Sequence, residues 1–298
     1  MGPTACGKTY LAIQLMQQFP IEVVSVDSAM VYRGMDIGTA KPDRKILQNF
    51  PHHLIDIREP WETYSAADFC QDANTIIEDI LSRRKIPLLT GGTMLYFKAL
   101  QQGLSELPSS DPDIRRQILE EASQKGWTAM HEKLSTIDLK AALRIHPNDP
   151  QRIGRALEVY AITGKTLTEH FEKPLKSDEN HYQSIVLLPS DRKKLHKNIE
   201  TRFHQMLSEG WADEVKTLLS DERITLESSC MRTVGYRQIG MYLQGKISYD
   251  RMISQGVAAT RQLAKRQMTW LRPWPKAVFL DPYESDCLET LQAIIRDY

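Results

Sequence analysis

Gly2-Pro3-Thr4-Ala5-Cys6-Gly7-Lys8-Thr9 fits the pattern GxxxxGK[ST], a loop whose backbone N–H groups converge on the oxygens of a phosphate or diphosphate. The helix after such a loop adds partial positive charge at its N-terminus, the lysine neutralises oxygen charge, and the Ser/Thr hydroxyl ligates Mg²⁺. An apolar helical run, Leu11, Ala12, Leu15, Met16 and Phe19, follows at once, as the mechanics of the loop require. The motif predicts an α/β fold of the P-loop NTPase type, a parallel sheet flanked by helices. Such a loop hangs from a central strand, and only Met1 precedes it here. The expectation is that the first strand is missing, with Met1 an internal methionine and a short Val/Ile/Leu-rich strand encoded in frame upstream.

Downstream, Ile21–Val26 reads as a buried strand ending at Asp27, His53–Ile57 as a second strand, Ser65–Arg84 as a helix capped by its serine, and Ile86–Thr90 as a strand running into Gly91-Gly92-Thr93. This alternation of strand, turn and helix is that of a parallel sheet. After Pro108-Ser109-Ser110-Asp111-Pro112 only helical patterns occur up to about Lys176: Asp113–Lys125, Asp138–His146 and Pro150–Thr163. His181–Leu188 returns to strand-like composition, followed by helices at Asp191–Glu209 and Ser248–Arg272 and a short strand at Ala277–Leu280. The predicted organisation is a catalytic core of residues 1–107 and 178–298 with an all-helical insertion at 108–177.

Composition sets the outer limits. The 298 residues suffice for a full core and a second module, and 41% hydrophobic with 26% charged residues is ordinary for a globular protein. No apolar run is long enough to span a bilayer and no signal peptide is visible. The four cysteines, Cys6, Cys70, Cys230 and Cys287, lack metal-ligand spacing, so neither a zinc site nor a disulfide framework is expected, and a reducing cytoplasm is. Basic and acidic residues balance at 38 each, so any nucleic-acid reading must rest on local charge.

Asp27 follows the carboxyl end of its strand, the edge that lines the ligand crevice in open α/β sheets. A carboxylate there can take a proton from a nucleophile attacking a phosphate-bearing substrate; equally it can cap a turn or hold Mg²⁺ through water. Thr93 ends another strand at the same edge, where its hydroxyl either meets the same substrate or belongs to a glycine turn. Between Arg251 and Arg272 lie five basic residues (Arg251, Arg261, Lys265, Arg266, Arg272) and no acidic one. Arg261, Lys265 and Thr269 share one helical stripe, expected opposite Ala258, Leu263 and Met268. The stripe suits a phosphate backbone, and a solvated face is the other reading. Trp270 and Trp274 suit base stacking or a core.

At these residues the chain resembles the bacterial tRNA dimethylallyltransferases, also called tRNA isopentenyltransferases. The resemblance runs over nearly the whole length through GPTACGKT, VDSAMVYRGMDIGTAKP, PHHLIDI, YSAADF, GGTMLYFKAL, RIHPNDPQRIGRALEVY, VGYRQ and ATRQLAKRQMTWLR, in that order. It implies transfer of a dimethylallyl group from dimethylallyl diphosphate to N6 of the adenosine immediately 3′ of the tRNA anticodon, with Mg²⁺ on the diphosphate. By position, Asp27 would be the general base, Thr93 would hold the flipped adenine and Arg202 would reach the diphosphate. Gly2, Pro3, Thr4, Ala5, Cys6, Gly7, Lys8 and Thr9 would form the diphosphate cradle, with Thr9 on the metal. Contacts to tRNA would come from Asp27, Ser28, Ala29, Met30, Thr93 and Arg115, and from Gln151, Arg152, Ile153, Gly154 and Arg155. Arg232, Thr233, Val234, Gly235, Tyr236 and Arg237 would add to them, as would Lys265, Arg266, Gln267, Met268, Thr269, Trp270, Leu271 and Arg272. The helical insertion would grip the anticodon stem-loop. The family usually has serine where Cys6 stands, a harmless change where only the backbone is used. A monomeric cytoplasmic enzyme without a membrane partner is implied.

Three other readings stay open on the residues alone. An adenylate isopentenyltransferase would share the prenyl donor but use a free nucleotide, a small-molecule kinase would share the P-loop, and an RNA-binding NTPase would explain the basic clusters without prenyl chemistry.

Overall fold

Strand β1 (Ile21–Val26) lies at the centre of a three-stranded parallel sheet of order β2-β1-β3, between β2 (His52–His53) and β3 (Ile86–Gly91). The structure, a computed structural model, describes residues 1–105, 107–172 and 182–297. Every residue of β1 is buried, which suits Ile21, Val23, Val24 and Val26 in a parallel strand covered on both faces; buried Glu22 is paired with Arg83, Lys85 and His53. Helices α1 (Lys8–Met16) and α3 (Ala66–Ser82) pack on β1 and β3. The serine cap predicted for α3 forms as a full capping box, Ser65 with Asp68. Short α2 (Arg44–Asn49) and, after β3, α4 (Met94–Gln102) complete the first hundred residues.

The strand expected at His53–Ile57 is only two residues long. Leu54 and Asp56 adopt φ of 62° and 56°, a left-handed backbone that no extended strand contains. The chain nevertheless stays beside the segment after β1, through Ile57 N–H to Val31 O at 2.9 Å and an isolated parallel bridge between Tyr32 and Arg58.

The chain forms two compact units, Met1–Ala99 with Asn180–Tyr298, and Leu100–Glu179. The second contains only helices among its described residues: α5 (Pro112–Ile137), α6 (Leu139–Arg144), α7 (Pro150–Thr163) and α8 (Leu167–Phe171). Two of them start where Asp precedes Pro: Asp111 and Asp149 cap α5 and α7, with Pro112 and Pro150 in the first turn. The helix predicted to end at Lys125 meets Gly126, at φ 81°, and resumes beyond that kink. The expected boundary near residue 177 lies outside the described residues.

In the first unit, β4 (Ile185–Leu187) pairs in parallel with β5 (Val278–Leu280) as a separate two-stranded sheet; His181, the expected start of that strand, lies outside the described residues. Met1 bonds to β4 twice, its ammonium donating to Ile185 O at 2.8 Å and its carbonyl accepting from Leu187 N–H at 2.8 Å. Among the described residues β3 pairs only with β1, and most of its residues are half-buried. Helices α9 (Arg192–Ser208), α10 (Trp211–Leu219), α11 (Tyr236–Leu243), α12 (Tyr249–Leu271) and α13 (Cys287–Arg296) finish the chain. One core joins Leu11 and Leu15 of α1, Ile21, Leu187, Leu195 and Ile199 of α9, and Ala264 and Met268 of α12. A second gathers Phe203, Trp211, Met231, Tyr236 and Met252 around Val31 and Met35. None of the four cysteines is joined in a disulfide, and no described helix is long and apolar enough to cross a membrane.

Candidate active site

Gly7 caps α1 in a left-handed conformation (φ 95°) and no side chain caps the helix. The first-turn amides of α1 therefore point out of the loop without an internal acceptor, a ready anion site. Thr4, Ala5, Gly7, Lys8 and Thr9 line a cavity of about 220 Å³. The Lys8 ammonium lies over its own loop and donates to Pro3 O at 2.6 Å. Of the expected cradle, Gly2, Pro3 and Cys6 are buried, and Thr4 N–H donates to Gln267 Oε1 at 2.8 Å.

Asp27 sits where β1 ends. Its Oδ1 accepts from Ala29 N at 2.8 Å and Met30 N at 3.3 Å, so the turn-capping reading is real. Its Oδ2 accepts from no donor among the described residues, and Asp27 lines the cavity. One carboxylate thus divides its work between holding the turn and facing substrate space. Thr93 is tied to the same turn: its N–H donates to Val26 O at 3.2 Å and its hydroxyl oxygen accepts from Ser28 N at 3.0 Å. Gly91 permits this closeness, because a Cβ there would sit 2.0 Å from Val26 O.

Arg202 of α9 lines the same cavity. Its guanidinium makes no hydrogen bond or ion pair among the described residues; burial pulls its pKa below the usual value, and the Asp27 carboxylate opposes that shift. An arginine held half-buried with its donors unmatched is one that an anionic ligand would satisfy. A second cavity, of about 610 Å³, shares Asp27, Gly92, Arg202 and Gln267 with the first and extends to Thr93, Arg232, Arg266 and Trp270. Apolar Met30, Pro42 and Ile55 wall the smaller one. Asp27 and Arg202 stand where the two meet.

The residues expected to touch tRNA divide by burial. Ser28, Arg232, Arg237, Lys265, Arg266, Thr269, Trp270 and Arg272 are exposed, while Thr233 and Val234 line the larger cavity. Ala29, Gly235, Tyr236, Met268 and Leu271 are buried, so their side chains serve the core, although Ala29 also lines the larger cavity. Gln267 is 8% exposed and lines both cavities, its Nε2 donating to Gly92 O at 2.8 Å. The basic stripe is amended. Ala258 is exposed rather than opposite it, and Arg261 pairs with Glu200 of α9 at 2.8 Å, a carboxylate that spacing within α12 cannot show.

In the helical unit, Gln151 and Arg152 are exposed at the start of α7 and Gly154 lies beside Trp127. Ile153 is fully buried, its side chain packed in the core of this unit. Arg115 and Arg155 both reach Glu158, at 3.2 and 2.8 Å, and Arg155 also donates to Pro108 O at 2.6 Å. Glu158 is 1% exposed, and these two arginines neutralise it.

Sequence reasoning misses Glu214 of α10. It accepts the backbone N–H groups of Asp36, Ile37 and Gly38, at 2.8, 2.7 and 3.2 Å, and the Tyr236 hydroxyl at 2.5 Å, fixing the loop whose Thr39, Ala40 and Pro42 wall the smaller cavity. Nothing in the local sequence marks it. Gln267 does leave a signal, because it falls in register with Ala264 and Leu271 on the buried face of α12.

The IPP transferase family model matches residues 30–274. A full-length tRNA isopentenylpyrophosphate transferase from Bacillus halodurans is similar in structure at a TM-score of 0.72 and 35% identity, covering 99% of this chain and 94% of that one. A tRNA Δ2-isopentenylpyrophosphate transferase from Staphylococcus epidermidis gives 0.70 and 32%, covering 100% and 97%. A eukaryotic dimethylallyltransferase, seen crystallographically acting on tRNA, gives 0.79 and 30%, covering 98% and 76%.

Proposed function

This chain belongs to the IPP transferase family, and from that premise we propose how its residues carry out the reaction. It is a tRNA dimethylallyltransferase. The acceptor is N6 of the adenosine immediately 3′ of the anticodon, the donor is dimethylallyl diphosphate, and the products are N6-dimethylallyl adenosine and diphosphate.

An exocyclic amine delocalised into a purine is a poor nucleophile, so the enzyme must make the allylic carbon electrophilic by stabilising the leaving group. The Ala5–Thr9 loop, Lys8 and Arg202 hold the diphosphate and match the charge it gains as the C–O bond breaks. The electron pair of that bond leaves with the diphosphate; the N6 lone pair forms the new C–N bond, and Asp27 Oδ2 takes the N6 proton. Thr93, anchored to the turn that carries Asp27, holds the adenine after it leaves the stack, at an unstacking cost of about a few kcal/mol. The smaller cavity takes the prenyl diphosphate and the larger one the base, so that the two meet at Asp27. The observation that carries this reading is the pairing of an unpartnered Arg202 guanidinium with a half-used Asp27 carboxylate beside the P-loop.

Among the described residues no group of three His, Cys, Asp or Glu side chains is placed to hold a metal. A Mg²⁺ fits on other terms, since it binds through substrate phosphates and water with few protein ligands; the Thr9 hydroxyl and diphosphate oxygens would hold it. When bound it supplies further charge neutralisation on the leaving group. The enzyme acts as a cytoplasmic monomer, its exposed basic residues and helical insertion gripping the anticodon stem-loop.

The test is transfer of labelled dimethylallyl diphosphate to bulk tRNA followed by nucleoside analysis. Label in N6-prenyl adenosine is the expected result. Transfer to free AMP instead of tRNA, or γ-phosphate transfer from ATP with no prenyl transfer, would overturn it.

A further inference from the structure

Helix α12 buries seven residues, and Gln267 is the only one with a polar side chain. A buried amide is costly unless both its ends are bonded, and both are. Oε1 accepts Thr4 N–H at 2.8 Å and Nε2 donates to Gly92 O at 2.8 Å. The partners fix which end is which, because a backbone N–H only donates and a carbonyl only accepts.

We infer that Gln267 is a positioning residue, which holds the diphosphate loop and the Asp27–Thr93 edge at the separation that brings the allylic carbon and the attacking nitrogen together. The inference rests on the reading of those two elements as the two substrate sides. Thr4 immediately precedes the Ala5–Thr9 cradle. Gly92 immediately precedes Thr93, whose N–H and hydroxyl bind Val26 O and Ser28 N on either side of Asp27. One amide therefore joins the two halves of the site without itself being needed for the chemistry. The joint is tight: a Cβ at Gly92 would lie 2.4 Å from Gln267 Nε2, so only glycine lets the amide reach that carbonyl. Displacing reacting groups by about 1 Å can cost on the order of 10²-fold in rate.

Two substitutions cut the joint from opposite ends in the full-length chain. Gln267→Met removes both hydrogen bonds at similar volume. Gly92→Ala pushes the amide away with a methyl group that meets the mobile end of a side chain rather than backbone, so the fold is kept even if Gln267→Met fails to fold. Transfer to tRNA is measured in single turnover at saturating substrates, with KM for dimethylallyl diphosphate, Kd for tRNA and melting temperature alongside.

Each variant is expected to lower the saturating rate about 10–100-fold while Kd and KM move by less than about 3-fold, and the double variant is expected to be no slower than the slower single one, because both break one joint. A wild-type rate per folded molecule in Gly92→Ala overturns the inference, as do losses that multiply in the double variant. A raised tRNA Kd at an unchanged rate overturns it too and makes Gln267 a tRNA contact. Failure of the wild-type chain to transfer the prenyl group would refute the proposed function instead.

Discussion

Replacing Asp27 by asparagine separates the two tasks that the structure gives this carboxylate. In Asp27→Asn an amide oxygen can still accept from Ala29 N and Met30 N, the bonds now made by Oδ1 at 2.8 and 3.3 Å. A neutral acceptor is weaker than a charged one, so folding stability should fall by about 0.5–1.5 kcal/mol and no more. The Oδ2 position, now without a protein donor, becomes an NH₂ group that cannot take a proton. Loss of a positioned general base costs about 10²–10⁴-fold in rate, which is about 2.7–5.5 kcal/mol of barrier. The assay is single-turnover transfer from labelled dimethylallyl diphosphate to a tRNA transcript, with tRNA Kd and urea unfolding measured on the same preparation. The expected result is a rate loss in that range with nearly unchanged Kd and a small stability change. Asp27→Ala is the poorer experiment, since it also strips both turn amides of their acceptor. A rate for Asp27→Asn within about 5-fold of wild type would refute the base assignment, and so would a loss confined to tRNA affinity.

Arg202→Met should weaken binding of dimethylallyl diphosphate about 10–100-fold, the scale of a lost charge-assisted hydrogen bond, while tRNA Kd stays put; calorimetric titration with the diphosphate checks this. Lys265→Ala and Arg266→Ala should each flatten the salt dependence of tRNA binding, by about 0.7–0.9 in log–log slope for each phosphate that is no longer neutralised. Arg261→Ala should leave that slope alone, because Glu200 already pairs with the guanidinium. Glu22, buried at the start of β1, is held well below the usual carboxylate range by hydrogen bonds from Arg83, Lys85 and His53. A depressed carboxylate contributes stability that is full above the unfolded pKa and is lost as the pH falls, so acid unfolding of the wild type should steepen from about pH 5 downward. Urea midpoints measured across that range should show Glu22→Gln losing less stability with acid than the wild type.

What the sequence by itself determined is what local rules govern. Ile21–Val26 and Ile86–Thr90 are legible because short, mostly β-branched and apolar runs followed by Asp or Gly suit parallel strands. Ser65, Asp111 and Asp149 announce helices because each caps through its own side chain within three residues. The P-loop is read from eight consecutive residues because its mechanics need no distant partner. Leu54 and Asp56 escape that logic, since a left-handed backbone at non-glycine residues is set by what surrounds them. Tertiary structure alone decided that Ala258 of α12 faces solvent, that Glu200 comes to Arg261, and that Arg115 and Arg155 answer a buried Glu158. It also left Arg202 unpaired beside Asp27 and set one amide of Gln267 between Thr4 and Gly92, residues far apart in the chain. Long-range contacts choose the partner of each charge and each buried amide, and periodicity reports only that a partner is needed.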